Sequence, residues 1–159
     1  MPIEATEFRR VLSHWSSGVA VVATRTPDGR LWGLTATAFS SLSMTPPLVL
    51  ACLERSAHTH DAIHASGCFT VNVLARGQDA LARRFAGDDT PAKFDTLKHH
   101  VSVTGAPVLD DALAWVDCRL HNTCDGGDHT IFVGEVVAGD ARDGEPLLYF
   151  RGRYSGLVG

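Results

Sequence analysis

The sequence predicts one domain over residues 1–159, mainly β, built as an antiparallel barrel with short peripheral helices. Long β-like segments dominate from Ala112 onward. Pro27-Asp28-Gly29 is a strong hairpin signal between two earlier β-like runs. Because hairpin connections recur and strands do not alternate regularly with helices, an antiparallel sheet that closes on itself is expected.

The first element is predicted to be an amphipathic helix within EATEFRRVLSHW, with Thr6 as its N-cap and its end near Gly18. Its apolar residues recur at helical spacing: Phe8, Val11, Leu12 and Trp15. Two β-like runs in VAVVATRTPDGRLWGLTAT then flank the turn. Another strand is expected over 48–53, after a proline pair.

Further along, SAHTHDAIHAS predicts a short helix, CFTVNVL a buried strand and GQDALARRFAG a second amphipathic helix. The remaining chain predicts three strands, in LAWVDCRLHNTC, HTIFVGEVVAGDA and PLLYF. Gly126, Gly127 and Asp128 form the expected turn between the first two of these.

Composition limits the classes of partner. Hydrophobic residues make up 45% of the chain and charged residues 20%, which is enough apolar material for a real core. The net charge is −4, and the 14 basic residues are scattered singly or in pairs. Nucleic acid is therefore not an expected partner, since binding its phosphates requires a basic stripe.

The uncharged run 31–53 is long enough to span a bilayer, but it carries a proline pair and six hydroxyl side chains. No membrane segment is therefore expected, and MPIEATEFRR lacks the apolar region of a secretory signal. The four cysteines form no C-x-x-C and are expected to be buried free thiols: Cys52, Cys68, Cys118 and Cys124. These observations predict a cytoplasmic protein.

The stretch GLTATAFSSLSMTPP, from Gly33 to Pro47, combines extended-chain residues with small side chains. Small side chains let another object approach the backbone, and hydroxyl groups offer hydrogen bonds. A flat heteroaromatic ring such as a flavin suits this surface. A neighbouring protein strand, or solvent on a half-exposed antiparallel sheet, suits it as well.

The next segment, ERSAHTHDAI, places Arg55, Ser56 and Thr59 at the predicted start of a helix. Free N–H groups, the helix dipole, a hydroxyl and a guanidinium together favour a phosphate. The alternative is that Ser56 only caps the helix. Coming directly after the small-residue stretch, this segment indicates a ring cofactor with a phosphate.

Five stretches carry a family resemblance: SGVAVVAT, GLTATAFSSLSMTPPLVLACL, CFTVNVLARGQDALARRFAG, GDHTIFVGEV and PLLYFRGRY. In this order they resemble the flavin reductase family, from about Phe8 to Tyr154. The resemblance implies the FMN-binding split β-barrel, antiparallel and Greek-key-like. It also implies an NAD(P)H:flavin oxidoreductase that supplies reduced FMN or FAD to a partner flavin-dependent monooxygenase, and a homodimer with flavin near the subunit contact.

The resemblance also implies a set of flavin contacts. The ring edge would lie along one run: Thr35, Ala36, Thr37, Ala38, Phe39, Ser40 and Ser41. The phosphate would bind Ser56 and Thr59, with charge from Arg55 or His58. Near the ring, the resemblance implies contacts from Phe85 and Ala86, and Tyr154 would lie near the flavin or the dimer contact. Lys93 and Phe94 match a frequent pair with a less defined role.

Gly127-Asp128-His129 resembles the family's nicotinamide site, which makes Asp128 and His129 cofactor-binding residues and His129 the catalytic candidate. A neutral imidazole would hydrogen-bond the carboxamide of NADH or NADPH, and a cationic one would attract the phosphates. Without the resemblance, these residues are equally typical of a turn followed by a surface histidine.

Two other interpretations remain open. A split-barrel protein of this kind can instead hold flavin or haem and carry electrons, or act on its own organic substrate.

His60 and His64 are four residues apart on a predicted helix, which is a geometry that metals use. No fuller ligand set accompanies them, so no metal site is expected.

Overall fold

The computed structural model describes residues 1–158, in three α-helices, one short 3-10 helix and twelve strands. The helices are α1 (Ala5–Leu12), α2 (His58–Ser66) and α3 (Asp79–Ala86), followed by the 3-10 helix Pro91–Phe94. The first six strands are β1 (Ser17–Gly18), β2 (Ala20–Arg25), β3 (Leu31–Ala36), β4 (Phe39–Met44), β5 (Pro47–Glu54) and β6 (Cys68–Val73). The last six are β7 (His99–Val101), β8 (Pro107–Leu109), β9 (Ala114–Gly126), β10 (His129–Ala141), β11 (Leu148–Phe150) and β12 (Arg153–Ser155).

Seven strands form the main sheet in the order β3-β2-β6-β9-β10-β5-β4, and every neighbouring pair is antiparallel. This confirms the predicted mainly β, antiparallel fold. The edge strands β3 and β4 are joined by only Thr37 and Ala38. A link this short spans at most about 11 Å, so the sheet must curl until its two edges approach each other. The strand pairs within residues 1–158 do not close this ring, and a split remains between β3 and β4.

The hairpin between β2 and β3 forms where the sequence predicts it. The carboxylate of Asp28 accepts hydrogen bonds from the hydroxyl of Thr26 and the backbone N–H of Arg30. Gly29 has a φ of +88°, a conformation that costs little only without a Cβ. Local chemistry therefore fixes this turn.

The core lies on both faces of β2, which is buried along almost its whole length. Val22 packs into a cluster with Phe69 and Phe132, on the face that α2 also covers through Ile63. The alternate residue Val21 belongs to a second cluster, which α3 covers. Full burial of each such side chain stabilises the fold by about 1.5–3 kcal/mol.

The start of the chain differs from the prediction. Helix α1 ends at Leu12 rather than near Gly18, and its N-cap is Glu4, so Thr6 lies inside the helix. Ser17 and Gly18 instead pair with Tyr149 and Leu148. Strand pairing with a distant segment therefore wins over the local helical pattern.

All four cysteines are free thiols, as predicted. Cys68 and Cys118 are buried, but Cys52 is only partly buried and Cys124 is exposed on the β9–β10 hairpin. The expected burial is therefore wrong for Cys124. Among residues 1–158, no helix has the length and apolar character needed to cross a membrane.

Candidate functional site

A cavity of about 420 Å³ lies at the split between the two edges of the sheet. Its size is within the range of small-molecule sites, about 300–1,000 Å³. Predicted flavin or nicotinamide contacts among its lining residues are Thr35, Ala36, Thr37, Ala38, Phe85, Ala86 and His129. Other lining residues are Leu34, Cys52, Leu53, Glu54, Ala57, Gly87, Asp89 and Lys93. The structure thus brings together residues that are separated by about ninety positions in the sequence.

One wall of the cavity is the C-terminal end of α3, which lies against β3. The hydroxyl of Thr35 donates to the carbonyl of Ala82 at 2.6 Å, which ties the strand to the helix. Gly33 permits the close approach, because a Cβ there would lie 3.0 Å from Phe94 Cζ and 3.1 Å from Phe85 Cε1. At Gly33, the small residue in the stretch from Gly33 to Pro47 is therefore explained by protein packing.

Thr37 and Ala38, the two-residue link, are exposed and face the split. The carbonyl of Ala38 accepts a hydrogen bond from the backbone N–H of Cys52, which anchors the link to β5. Between them, these short side chains leave a slot with accessible backbone. A planar ring can therefore approach the backbone of this link more closely than it could if the two side chains were bulky.

His129 stands at the rim of the cavity, at the start of β10 and opposite Glu54 of β5. Its ring is 38% exposed, and Nδ1 lies 2.7 Å from Oδ1 of Asp128. This hydrogen bond lowers the pKa of Asp128. Nε2 has no hydrogen-bond partner among the residues that the structure describes, so it is available to a ligand.

The start of α2 is organised differently from the sequence prediction. The N-cap is Ala57, so Ser56 does not cap the helix, and its hydroxyl lies 3.5 Å from the Glu54 carboxylate. The backbone N–H and the hydroxyl of Thr59 both donate to the carboxylate of Asp89, at 2.7 and 2.9 Å. Binding of a phosphate by Ser56 and Thr59 stays a prediction. In this structure the Asp89 carboxylate already accepts both hydrogen bonds that Thr59 can donate.

The charged and aromatic neighbours of this helix start have partners of their own. The guanidinium of Arg55 forms an ion pair with Asp125 at 2.5 Å, and its backbone N–H donates to the carbonyl of Asp128. The ring of His58 lies against Trp32, with centroids 5.5 Å apart. Neither side chain lines the cavity, although both flank its α2 side.

The other predicted contacts lie outside the cavity. Phe39 and Ser40 line an adjoining groove of about 680 Å³, which the apolar side of α1 also lines. Ser41 is exposed on β4, one residue further along. Tyr154 packs on Tyr149 and under the Arg83 guanidinium, away from the cavity. These roles also stay predictions.

Three polar lining residues were not predicted as site residues: Cys52, Glu54 and Asp89. Lys93, noted only for its family match, is 6% exposed and donates to the carbonyls of Phe85 and Gly33 at 2.9 and 3.4 Å. Burial lowers the pKa of Lys93, and the nearby Asp89 opposes that shift. In the sequence, the one signal for this wall is the family match of the Lys93-Phe94 pair.

The histidine pair on α2 is part of the packing. His60 Nε2 lies 2.8 Å from the hydroxyl of Thr130, and Nδ1 lies 2.9 Å from the carboxylate of Asp61. The His60 and His64 rings pack edge to face at 4.9 Å. Residues 1–158 contain no group of three or more side chains placed to hold a metal ion.

Residues 12–157 match the family described as flavin reductase like domain. Because this match spans nearly the whole chain, the protein belongs to the flavin reductase family.

Named relatives match this chain over nearly its whole length. The reductase component of a 4-nitrophenol 4-monooxygenase/4-nitrocatechol 2-monooxygenase from Rhodococcus opacus is 42% identical over 157 residues, covering 99% of this chain and 83% of the relative. An NADH-dependent FMN reductase from Agrobacterium fabrum is 39% identical over 147 residues, covering 92% and 83% respectively. The alignment covers the same share of both relatives.

Solved structures show the same fold. The NADH:FAD oxidoreductase of Streptomyces globisporus, in complex with NAD and FAD fragments, superposes with a TM-score of 0.91 at 36% identity. That alignment covers 98% of this chain and 93% of the other. The split antiparallel sheet described above is therefore the fold of a flavin reductase.

Proposed function

We propose that this protein is an NAD(P)H:flavin oxidoreductase that reduces FMN or FAD and releases the reduced flavin to a partner flavin-dependent monooxygenase. The observation that carries the proposal is the cavity at the split, which is lined by part of the predicted ring contacts, Thr35–Ala38, Phe85 and Ala86, and by His129. Family membership and the relatives described above support the same reaction.

The residues present fit a flavin ring. Leu34 and Leu53 supply apolar wall, Thr37 and Ala38 supply a narrow edge with accessible backbone, and Phe85 closes the far side. When bound, flavin accepts a hydride from nicotinamide, and the protein supplies orientation and a water-poor site. That transfer needs no acid–base pair from the protein, because the cofactors carry the chemistry.

We propose that His129 binds the nicotinamide. In the neutral ring, the Asp128 contact places the proton on Nδ1, so Nε2 can accept a hydrogen bond from the carboxamide nitrogen. Its place at the rim suits a second cofactor that stacks on a ring already held in the cavity. Asp128 acts by fixing the orientation of the imidazole.

We further propose a homodimer whose contact lies beside the flavin. Helix α1 exposes the apolar residues Phe8 and Leu12, and Trp15, three residues after the helix ends, is 80% exposed. These side chains line the groove beside Thr37 and Ala38. Exposed apolar patches of this kind are typical of protein contacts. The cytoplasmic location predicted from the sequence stays a prediction.

The reaction is tested by stopped-flow measurement of NADH and NADPH oxidation, with FMN, FAD or no flavin added. We expect oxidation that depends on added flavin, with purified protein that carries little flavin of its own. Absence of a flavin-dependent rate with both donors would overturn the proposed activity. Tightly bound yellow flavin without nicotinamide oxidation would instead identify an electron carrier.

A further inference from the structure

The carboxylate of Asp89 lies where the sequence predicts a phosphate. It accepts hydrogen bonds from both donors of Thr59, the backbone N–H at 2.7 Å and the hydroxyl at 2.9 Å. Thr59 is fully buried, and the Asp89 side chain is only 14% exposed. The start of a helix attracts an anion, and here the protein's own carboxylate takes that place.

Lys93 adds a buried cation beside the same carboxylate, with which it forms an ion pair. Its side chain is 5% exposed and lines the same cavity as Asp89. The ammonium group makes two hydrogen bonds to carbonyls, and the Asp89 oxygen lies 3.9 Å away, beyond hydrogen-bond distance. An ammonium group has three N–H donors, so Lys93 retains capacity for an anion at the cavity wall.

We propose that Asp89 limits how much the flavin phosphate contributes to binding, because its carboxylate competes with the phosphate for Thr59 and Lys93. This inference rests on the proposed function. A phosphate that binds at this position must displace the carboxylate or accept its repulsion, so the phosphate adds little net affinity. Flavin is then held chiefly by its ring, which favours acceptance of either FMN or FAD and easy release after reduction.

The competing explanation is that Asp89 only caps α2 and ties the loop after α3 to it. Both explanations account for the contacts with Thr59. They differ in one measurable respect: competition changes the affinity for phosphate-bearing flavins selectively, whereas a structural tie affects riboflavin and FMN alike.

The first test uses the unmodified protein and measures the Kd values of oxidised FMN and riboflavin by fluorescence quenching. Because the anion position is already filled, we expect the two values to agree within about fivefold. FMN that binds more than about a hundredfold tighter than riboflavin would overturn the proposal.

The second test compares Asp89→Asn with Asp88→Asn. Asp88 is the adjacent, exposed carboxylate, makes no side-chain hydrogen bond among residues 1–158 and acts on Lys93 only through space. Its variant therefore removes the same charge from this wall without touching Thr59. Asp89→Asn should raise the preference for FMN over riboflavin by about tenfold, a typical effect of removing one competing charge from a partly buried helix start. Asp88→Asn should leave the preference unchanged within about twofold, as expected for an exposed and screened charge.

An unchanged or lowered preference in Asp89→Asn, or an equal rise in Asp88→Asn, would overturn the proposal. Thermal melts establish that both variants fold, and if Asp89→Asn does not, the affinity ratio of the unmodified protein decides. Failure of the proposed function gives a different result, with no flavin-dependent nicotinamide oxidation at all. Normal turnover with an unresponsive affinity ratio would remove only the role of Asp89.

Discussion

At the scale of single residues, the site consists of groups whose partners set what they can do. His129 has one ring nitrogen bound to Asp128 and the other available at the cavity rim. Thr35 lines the cavity, but its hydroxyl is bound to Ala82. The sequence could indicate which residues belong to the site, but it could not show which of their polar atoms already have a hydrogen-bond partner.

We predict that His129→Ala raises the KM for NADH by about fivefold, the cost of one lost hydrogen bond. The KM for flavin should stay unchanged, because the proposed ring contacts lie on other residues. Initial-rate measurements with each substrate varied separately check this. His121→Ala is the matched control, since it removes an exposed imidazole outside the cavity. A change confined to the flavin KM would contradict the assignment.

The thiol of Cys52 offers a direct probe of where flavin binds. It lines the cavity, and burial raises its pKa, so labelling with a thiol reagent should be slow. We predict that saturating flavin slows labelling of Cys52 several-fold in a Cys124→Ser variant. In the matching Cys52→Ser variant, labelling of the exposed Cys124 should not respond to flavin. Burial raises the pKa of Cys118 to about 12, so that thiol should stay unlabelled in the folded protein. Equal rates for Cys52 with and without flavin would place the ring elsewhere.

At the scale of elements, the position of α3 decides the shape of the cavity. We predict that Gly33→Ala destabilises the protein by about 1–3 kcal/mol, the usual cost of overpacking a filled core. The added methyl group would meet Phe85 and Phe94 at about 3 Å, and the backbone of Val22 as well. Urea unfolding measures the free energy of unfolding.

The control for this variant is Gly18→Ala, because a Cβ at Gly18 meets nothing within 4 Å. Its effect should be within about 0.5 kcal/mol. Equal losses for both glycines would show that strand conformation matters and that the contact with α3 does not. Retained stability of Gly33→Ala with weakened flavin binding would mean that α3 moves.

The elements that could be predicted are those with local signals. The turn at Asp28 and Gly29, helix α2 and the β9–β10 hairpin each carry their own sequence pattern. The shortened α1 could not be predicted, since Ser17 pairs with Tyr149, more than a hundred residues away. The same reason hides the contact between Thr59 and Asp89, which lies thirty positions further along the chain.

At the scale of the whole molecule, the cavity at the split adjoins a groove with exposed apolar side chains, and the two share Thr37, Ala38 and Cys52. We predict that the protein is a dimer and that Phe8→Ser combined with Trp15→Ser makes it a monomer. Both side chains are exposed and line the groove beside the split. Sedimentation equilibrium measures the mass. Val103→Ser is the control, since it removes an exposed apolar side chain remote from that groove. An unmodified protein that sediments as a monomer would contradict the prediction.

The two-residue link between β3 and β4 has a consequence for engineering. The number of residues in this link, more than their identity, limits the distance between the edge strands β3 and β4. One inserted amino acid would widen the aperture by at most about 3.6 Å. Tolerance for bulkier tricyclic analogues should therefore be sought by lengthening this joint before any side chain is redesigned.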